Sequence, residues 1–350
     1  MLPKKSYRLR FDKENPLPDG SRTLSLNAEW YDKSYIRQFL STYLMKQAGL
    51  PAFKSSHAVL YVNGEFFGPY LHVRNVDKEF LKSQGFAPKS TLYKATKDGA
   101  CLSRYDQVYY HWEKKTRTND VDRSDLRELI RALDTVPNPA YYDFAKSYFD
   151  YDNLVTMIAM NMLVANQSTY YHNYFMCRDG ASGKWSMLPW DMDKTLEYDE
   201  VEREFHIGNH SDRRNAMMAS NLYLERAIAD RRIMKDIRKK IQEVTKSFFN
   251  TKTVRPVVDS LRKALAPYIE MDSTFRKVGM KKWTRKVDNV LKFIDERPRA
   301  LIDEIDHSPS NFRTIRPKED FEGPVILRWH PSHDPNGDKV TYTLKFSTRR

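Results

Sequence analysis

The chain has 350 residues, a formal net charge of +13 and 40% hydrophobic residues. Its 21 Tyr, 18 Phe and 6 Trp are typical of a globular protein, and its two cysteines exclude a disulfide framework. No apolar run reaches the roughly 18 residues that a transmembrane helix needs, so the sequence predicts no membrane span.

The basic residues are concentrated in the C-terminal third, where they alternate with apolar residues at helical spacing, as in RRIMKDIRKKIQEV (231–244). This pattern is typical of the solvated face of an amphipathic helix. No zinc-ligand, RNP or basic-zipper pattern accompanies the charge, so we predict no nucleic-acid partner.

The N-terminal part predicts strand, helix and hairpin in that order. KSYRLRF (5–11) alternates like a half-buried strand. After a polar loop, residues 32–49 predict a helix that Asp32 or Ser34 could cap and that ends at Gly49. Residues 57–76 form two β-rich runs around an Asn-Gly pair, the strongest short hairpin signal.

The next segments predict a small mixed lobe followed by a mainly helical one. DKEFLKSQGF predicts a short helix, STLYKA a strand, and the polar region after it a loop to about residue 123. A helical region broken at Asn138-Pro139 leads to the strands NYFMCR and KWSMLPW, and residues 213–305 return to helix. This α+β order is the layout of protein kinases.

The stretch 165–193 carries the residues that phosphoryl transfer requires. In kinases the catalytic loop D-L-x-x-x-N places a base five residues before a metal-ligating Asn, and a second Asp follows a hairpin. Here Asn173 matches that Asn, Asp191 matches the metal Asp, and Ser168 occupies the position of the base. Such oxygen ligands favour Mg²⁺ or Mn²⁺.

Several stretches resemble the spore-coat protein H (CotH) kinase-like family of atypical kinases, in family order across roughly residues 3 to 305. They are KKSYRLRF, NGEFFGPYLHVRNVDKEFL, LYKA, WEKKT, YDNLVTMIAMNMLVAN, YYHNYFMCRDG and LPWDMDKTL. The resemblance implies a two-lobed atypical kinase fold over residues 1–305. It also implies transfer of phosphate from ATP to serine-rich proteins by secreted or spore-associated members.

The resemblance also implies roles for five residues of the chain. Asp191 would bind Mg²⁺, Asn173 would be a second metal or phosphate contact, and Asp193 would be a supporting carboxylate. Lys5 would be the phosphate-binding lysine, with Lys4 as the second choice.

The chain departs from the family pattern in three ways. Ser168 stands where members usually have Asp, Arg74 stands where they commonly have Glu, and the Gly/Ser-rich phosphate loop, which would precede KKSYRLRF, is missing. We expect His172 to orient a loop. His206 and His210 do not predict a zinc site, because the HIGNH segment contains Gly and Asn, which are poor in helices.

The C-terminal tail predicts a separate module. Residues 306–322 have the composition of a linker, and residues 323–350 resemble the opening strands of a fibronectin type III-like β-sandwich. A sandwich needs more strands than this tail holds, so the sequence predicts an incomplete module. The tail and the family together imply an extracytoplasmic location, secreted or in the cell envelope.

Three functions remain open from the sequence. The first is a kinase that uses ATP and Mg²⁺ or Mn²⁺ to phosphorylate Ser or Thr of a spore-coat or cell-envelope protein, slowly because the base is missing. The second is a pseudokinase or nucleotide-binding scaffold, which Ser168 and Arg74 favour. The third keeps the scaffold but transfers AMP or ligates an amino acid, since one fold hosts several reactions.

Overall fold

The computed structural model describes most of the chain. The described residues are 4–17, 21–197, 221–272, 279–307, 314–315, 327–329, 332 and 339–343. The pair His206 and His210 lies outside them. The predicted mixture of helices and strands is confirmed, with two four-stranded antiparallel sheets and ten α-helices within those ranges.

The first sheet contains the predicted N-terminal strand and hairpin in the order β1-β2-β4-β3. Its strands are β1 (Tyr7–Arg10), β2 (Thr23–Asn27), β3 (Ser55–Val62) and β4 (Glu65–Val73). Asn63 and Gly64 turn the β3–β4 hairpin with φ values of 51° and 84°. Both values are positive, as a type I′ turn requires, so the hairpin prediction is confirmed. Strand β2 lies in the segment that was predicted to be a polar loop.

Helix α1 (Arg37–Gln47) begins later than the sequence predicted. Its N-cap is Ile36, which makes no side-chain cap, so the prediction of Asp32 or Ser34 as the cap residue was wrong. Asp32 still provides a hydrogen-bond acceptor for the first turn of the helix, because its Oδ2 accepts the N–H of Arg37 at 2.8 Å. Gly49, at φ +80°, ends the helix as predicted.

The second sheet, in the order β6-β5-β7-β8, carries the predicted site hairpin. Its strands are β5 (Thr91–Ala95), β6 (Trp112–Lys114), β7 (Tyr174–Arg178) and β8 (Trp185–Pro189). Tyr174 at the start of β7 pairs with Pro189 at the end of β8. Asn173 and Asp191 therefore lie at the same end of this hairpin. Strand β6 was missed, because its three residues lie in a charged region.

Asp179 fixes the turn between β7 and β8. Its Oδ1 accepts the N–H of Ala181 and of Ser182, and its Oδ2 accepts the N–H of Ala87 at 2.8 Å. Partial burial opposes ionisation, but the bonds from Ser182, Ala87 and Ala181 outweigh it and lower the pKa of Asp179 to about 2. The turn is thus tied to the chain before β5.

We expect Asp179→Asn to be less stable than the wild type by roughly 1 kcal/mol at pH 7, after allowance for solvent screening. A carboxyl group whose pKa is lowered by folding stabilises the folded protein at pH values above the pKa of the unfolded state. The difference between the two proteins should therefore shrink as pH falls from about 4 towards 2. Urea unfolding at several pH values measures it, with the exposed Asp12→Asn as control. A difference that stays constant below pH 4 would contradict this role.

The helices pack with both sheets around one large hydrophobic core. Besides α1, they are α2 (Lys78–Ser83), α3 (Val108–His111), α4 (Ser124–Thr135), α5 (Tyr141–Tyr148), α6 (Tyr151–Leu163), α7 (Leu222–Ala229), α8 (Arg231–Ser247), α9 (Thr251–Met271) and α10 (Met280–His307). A 3₁₀ turn, Asn138–Ala140, occupies the predicted break. Helix α6 is almost entirely buried, and its last turn leads into the loop that holds Ser168.

In the tail, β9 (Thr314–Ile315) pairs antiparallel with β10 (Arg328–Trp329). The Trp329 ring lies 5.3 Å from that of Tyr342. Strand β9 lies in the predicted linker, so this part of the linker takes part in the β-structure of the tail.

Candidate functional site

The two residues that the sequence selected as metal ligands are in direct contact. The Nδ2 of Asn173 donates a hydrogen bond to Oδ2 of Asp191 at 2.9 Å. Both residues have left-handed backbones, with φ of 57° and 54°. Asn and Asp are among the residues that adopt this conformation most readily, which accounts for these residue types at the two ends of the hairpin.

Ser168 contacts the backbone of Asp191 and is not among the residues that line the pocket beside Asp191 and Asp193. Its Oγ donates to the main-chain oxygen of Asp191 at 3.2 Å, and its N–H donates to Oδ1 of Asn166. The residue is 1% exposed. Ser168 occupies the sequence position of the kinase base, but in this conformation it does not reach the hydroxyl of a substrate. Ser168 instead helps to position Asp191.

Burial makes both aspartates reluctant to ionise, and neighbouring carboxylates add to this effect at Asp193. Burial raises the pKa of Asp191, and the nearby charge of Lys94 opposes this rise. Burial, followed by the charges of Asp191 and Asp32, raises the pKa of Asp193 to about 7. Two such carboxyl groups side by side have a strong tendency to bind a cation or protons.

Asp191 and Asp193 line a pocket of about 300 Å³. Other lining residues come from the first sheet and its loops, from α1 and from the end of β8. Four of them are aromatic and form its apolar wall, namely Trp30, Tyr31, Phe53 and Trp190. A pocket with an apolar wall and a few converging polar groups is the usual form of a small-molecule site.

The donor set fits a hard divalent cation that keeps part of its water shell. Asp191, Asp193 and Asn173 offer carboxylate and amide oxygens, the ligands that Mg²⁺ prefers. In the described part of the chain, no three His, Cys, Asp or Glu side chains converge closely enough to hold a metal ion by themselves. Glu29, which lines the same pocket, has a buried carboxylate oxygen with no hydrogen-bond partner among the residues that the structure describes. Such an oxygen calls for a donor from a ligand or from water.

The two candidate lysines have different surroundings. The ammonium of Lys4 donates to the hydroxyl of Tyr35, to the carbonyl of Pro69 and to Asp272. These three acceptors match its three N–H groups, so Lys4 has none left for a phosphate in this structure. Lys5 is exposed and directly precedes Ser6, which lines the pocket. Lys5 therefore remains the lysine that we predict to bind phosphate.

Lys94 is a charged residue of the site that the sequence did not indicate. It lies on β5, with its ammonium 4.6 Å from the Trp190 ring centre, and burial lowers its pKa. Its charge favours the ionised form of Asp191. No local pattern marks this lysine, because its position relative to Asp191 comes from the pairing of β5 with β7.

Of the remaining predicted residues, His172 contacts Asp98, as expected for a residue that orients a loop. The N–H of Arg74 bonds to the carbonyl of Lys54, next to β4. Cys101 and Cys177 are both buried free thiols.

A profile of the CotH kinase protein family matches residues 1–301. The chain belongs to this family. Its matched region includes both sheets and every residue that the sequence selected for the site. No helix in the described ranges is long and apolar enough to cross a membrane.

Two relatives of this CotH family chain come from Bacillus subtilis (strain 168). Identity to the inner spore coat protein H is 25% over 310 residues, which cover 86% of this chain and 83% of that protein. Identity to the inner spore coat protein H-like protein is 37% over 82 residues, or 23% of this chain and 26% of that protein.

Two solved structures align with the chain at low similarity. One is the complex of HipA and HipB of the Shewanella oneidensis MR-1 toxin–antitoxin system with operator DNA, with a TM-score of 0.38, 15% identity, and coverage of 86% of this chain and 65% of that chain. The other is the proinflammatory kinase CtkA of Helicobacter pylori, with a TM-score of 0.40, 10% identity, and coverage of 81% and 89%.

Proposed function

We propose that this CotH family chain binds ATP with Mg²⁺ or Mn²⁺ and transfers phosphate to Ser or Thr of a protein. The observation that carries the proposal is the 2.9 Å contact between Asn173 and Asp191 at the edge of a pocket that Asp193 also lines. We further propose that residues 1–305 form the two lobes of an atypical kinase and that the pocket is the nucleotide site between them.

Asp191 and Asn173 would hold the cation, and Asp193 would support it. A bound Mg²⁺ neutralises phosphate charge and holds the phosphate oxygens in place. The chain's own cations would act alongside it, namely Lys5, which precedes the pocket residue Ser6, and Lys94, whose charge acts on Asp191. The aromatic wall at Trp30 and Trp190 offers a surface on which a base could stack.

The acceptor hydroxyl has no carboxylate base at position 168 to take its proton. Base catalysis contributes typically about 10²–10⁴-fold, so we propose a slow enzyme. Positioning and charge stabilisation carry most of the rate of phosphoryl transfer, so the loss of the base lowers the rate without forbidding the reaction.

The names of the two relatives support a proposal about place and partner. Both are spore coat proteins or resemble one. We propose an extracytoplasmic location and an acceptor with Ser or Thr in the spore coat or cell envelope. We propose that the chain does not bind nucleic acid. We also propose that residues 323–350 are part of a fibronectin type III-like module.

The buried position of Ser168 favours a second candidate, a pseudokinase that binds nucleotide without transferring phosphate. In a third reaction on the same scaffold, ATP activates a carboxylate for the addition of an amino acid or AMP. That reaction needs no base at position 168, because a carboxylate is already deprotonated. The three functions differ in which part of ATP leaves the pocket.

Parallel incubations with ATP labelled at the α- or γ-phosphate separate the candidates. The proposal expects γ-label on protein Ser or Thr, dependent on Mg²⁺ or Mn²⁺ and absent in Asp191→Ala. Transfer of α-label, or AMP release that depends on an added amino acid, would overturn it in favour of the third candidate. Metal-dependent ATP binding without transfer would favour the pseudokinase.

We expect Ser168→Asp to lower stability and not to raise phosphotransfer. The new carboxylate would be buried against the main-chain oxygen of Asp191, at a cost of about 1–3 kcal/mol for an unsatisfied buried group. Ser168→Ala, the matched control, loses one hydrogen bond worth about 1 kcal/mol. Thermal unfolding and γ-label transfer measure both effects. Faster transfer by Ser168→Asp would show that residue 168 does reach the acceptor.

A further inference from the structure

We propose that Glu29 and Gln38 bind the water shell of the divalent cation held at Asp191 and Asp193. The inference rests on the proposed function, because it assumes a cation at those carboxylates. It assigns an additional role to two residues that neither the sequence motif nor the kinase pattern selects.

Glu29 lies in the loop between β2 and α1 and is 4% exposed. Its Oε1 accepts a hydrogen bond from Nε2 of Gln38 at 3.2 Å. Its Oε2 is buried and has no hydrogen-bond partner among the described residues. Its φ of 50° is a left-handed conformation that Glu rarely adopts, so the fold holds this carboxyl group in place against local preference.

Gln38, on α1, also has a buried side-chain oxygen without a hydrogen-bond partner among the described residues. The residue is 1% exposed, and its Oε1 has no hydrogen-bond partner in the described part of the chain. Its Nε2 already donates to Glu29, which fixes the orientation of the amide. The Oε1 of Gln38 is an acceptor, and so is the Oε2 of Glu29 when its carboxyl group is ionised. Burial, followed by the charges of Asp32, Asp193 and Asp191, raises the pKa of Glu29, and a nearby cation opposes that rise. Both residues line the pocket that Asp191 and Asp193 also line. A ligand in this pocket must supply at least two hydrogen-bond donors.

The acidic lining of the pocket favours a hydrated cation as the ligand, because the cation balances the charge and its water molecules supply the hydrogen-bond donors. Asp191, Asp193 and Glu29 all line the pocket, so a neutral donor would leave several carboxyl groups without compensation. The guanidinium of Arg37, on the same helix as Gln38, is engaged with Asp32 and Glu197. Mg²⁺ takes one or two carboxylates and keeps several waters, whose O–H groups are donors.

The arrangement of the carboxyl groups favours contact between Glu29 and the cation through a water molecule. No three acidic or imidazole groups within the described ranges can hold a metal ion together. A direct bond from the cation to Asp191, Asp193 and Glu29 at once is thus not available. A bridging water lets Glu29 and Gln38 act at longer range, as outer partners of metal sites commonly do.

The test uses Mn²⁺ alone as the probe, titrated into the full chain and followed by electron paramagnetic resonance. We expect Glu29→Gln and Gln38→Met to weaken Mn²⁺ binding by about 10- to 100-fold, the usual effect of removing an outer-shell partner. Glu79→Gln, which changes an exposed glutamate on α2, is the matched control and should bind Mn²⁺ as the wild type does. Water-proton relaxation should show that bound Mn²⁺ retains exchangeable water.

The outcomes separate this inference from the function on which it rests. If the wild type binds no Mn²⁺, both are wrong. If Asp191→Ala loses Mn²⁺ while Glu29→Gln and Gln38→Met bind it normally, this inference alone is overturned. It is also overturned if bound Mn²⁺ retains no exchangeable water, or if the two variants weaken metal-free ATP binding and leave Mn²⁺ binding unchanged. Gln38→Met keeps the test decisive if Glu29→Gln does not fold.

Discussion

Replacement of Asp191 by alanine should weaken metal-dependent nucleotide binding by about a hundredfold or more. The carboxylate lines the pocket and is held by Asn173 at 2.9 Å. Loss of a charged ligand costs about 3 kcal/mol or more, which corresponds to roughly a hundredfold in affinity. Calorimetric titration of ATP with excess Mg²⁺, compared with EDTA, measures the effect.

The same variant should stay folded, because removal of a buried carboxyl group offsets the loss of the Asn173 hydrogen bond and the strain of alanine in the left-handed backbone at residue 191. Burial raises the pKa of Asp191, and that of Asp193 is raised to about 7, so the metal-free protein carries two unfavourable carboxyl groups side by side. Removing one relieves the repulsion. Thermal unfolding in EDTA is the control measurement. An Asp191→Ala protein that is folded and still binds Mg²⁺ and ATP normally would contradict the role of this residue.

Replacement of Lys4 by methionine should produce the largest loss of stability. Lys4 is 4% exposed, and its ammonium lies 2.7 Å from the buried carboxylate of Asp272, at the end of α9. Removing one partner of a buried ion pair costs about 3–5 kcal/mol, because the other charge stays buried without it. Denaturant unfolding measures the loss. The double variant Lys4→Met/Asp272→Leu should recover much of it.

Lys5→Met is the matched control for Lys4→Met. Lys5 is exposed one residue further along, so its replacement should leave the free energy of unfolding within about 0.5 kcal/mol of the wild type. We expect the opposite order for ATP affinity, which Lys5→Met should weaken and Lys4→Met, measured at a temperature where it is folded, should not. A reversed pattern would assign phosphate binding to Lys4.

Local sequence patterns predicted those parts of the fold that local chemistry determines. The Asn63-Gly64 turn, the helix end at Gly49 and the β7–β8 hairpin all depend on backbone preferences of a few adjacent residues. Strands β2 and β6 were missed because each depends on pairing with distant strands, and neither has a strong pattern of its own.

The candidate site shows the same division between local and distant determinants. Asn173 and Asp191 could be found because a hairpin brings them together and because their spacing follows a known reaction pattern. Glu29 and Lys94 could not, since their relation to Asp191 depends on how the first sheet and β5 pack around the pocket. Lys4 and Lys5 are neighbours in sequence, and tertiary contacts alone give one an ion pair and expose the other.

We propose that Asp191 and Asn173 hold a divalent cation in a nucleotide pocket. Crystals grown with Mn²⁺ and a non-hydrolysable ATP analogue test it directly through the anomalous signal of manganese. We expect a manganese peak within coordination distance of an Asp191 oxygen, with the phosphates of the analogue on the same ion and its base on the Trp30 and Trp190 side of the pocket. A manganese peak away from Asp191, or an analogue bound outside this pocket, would contradict it.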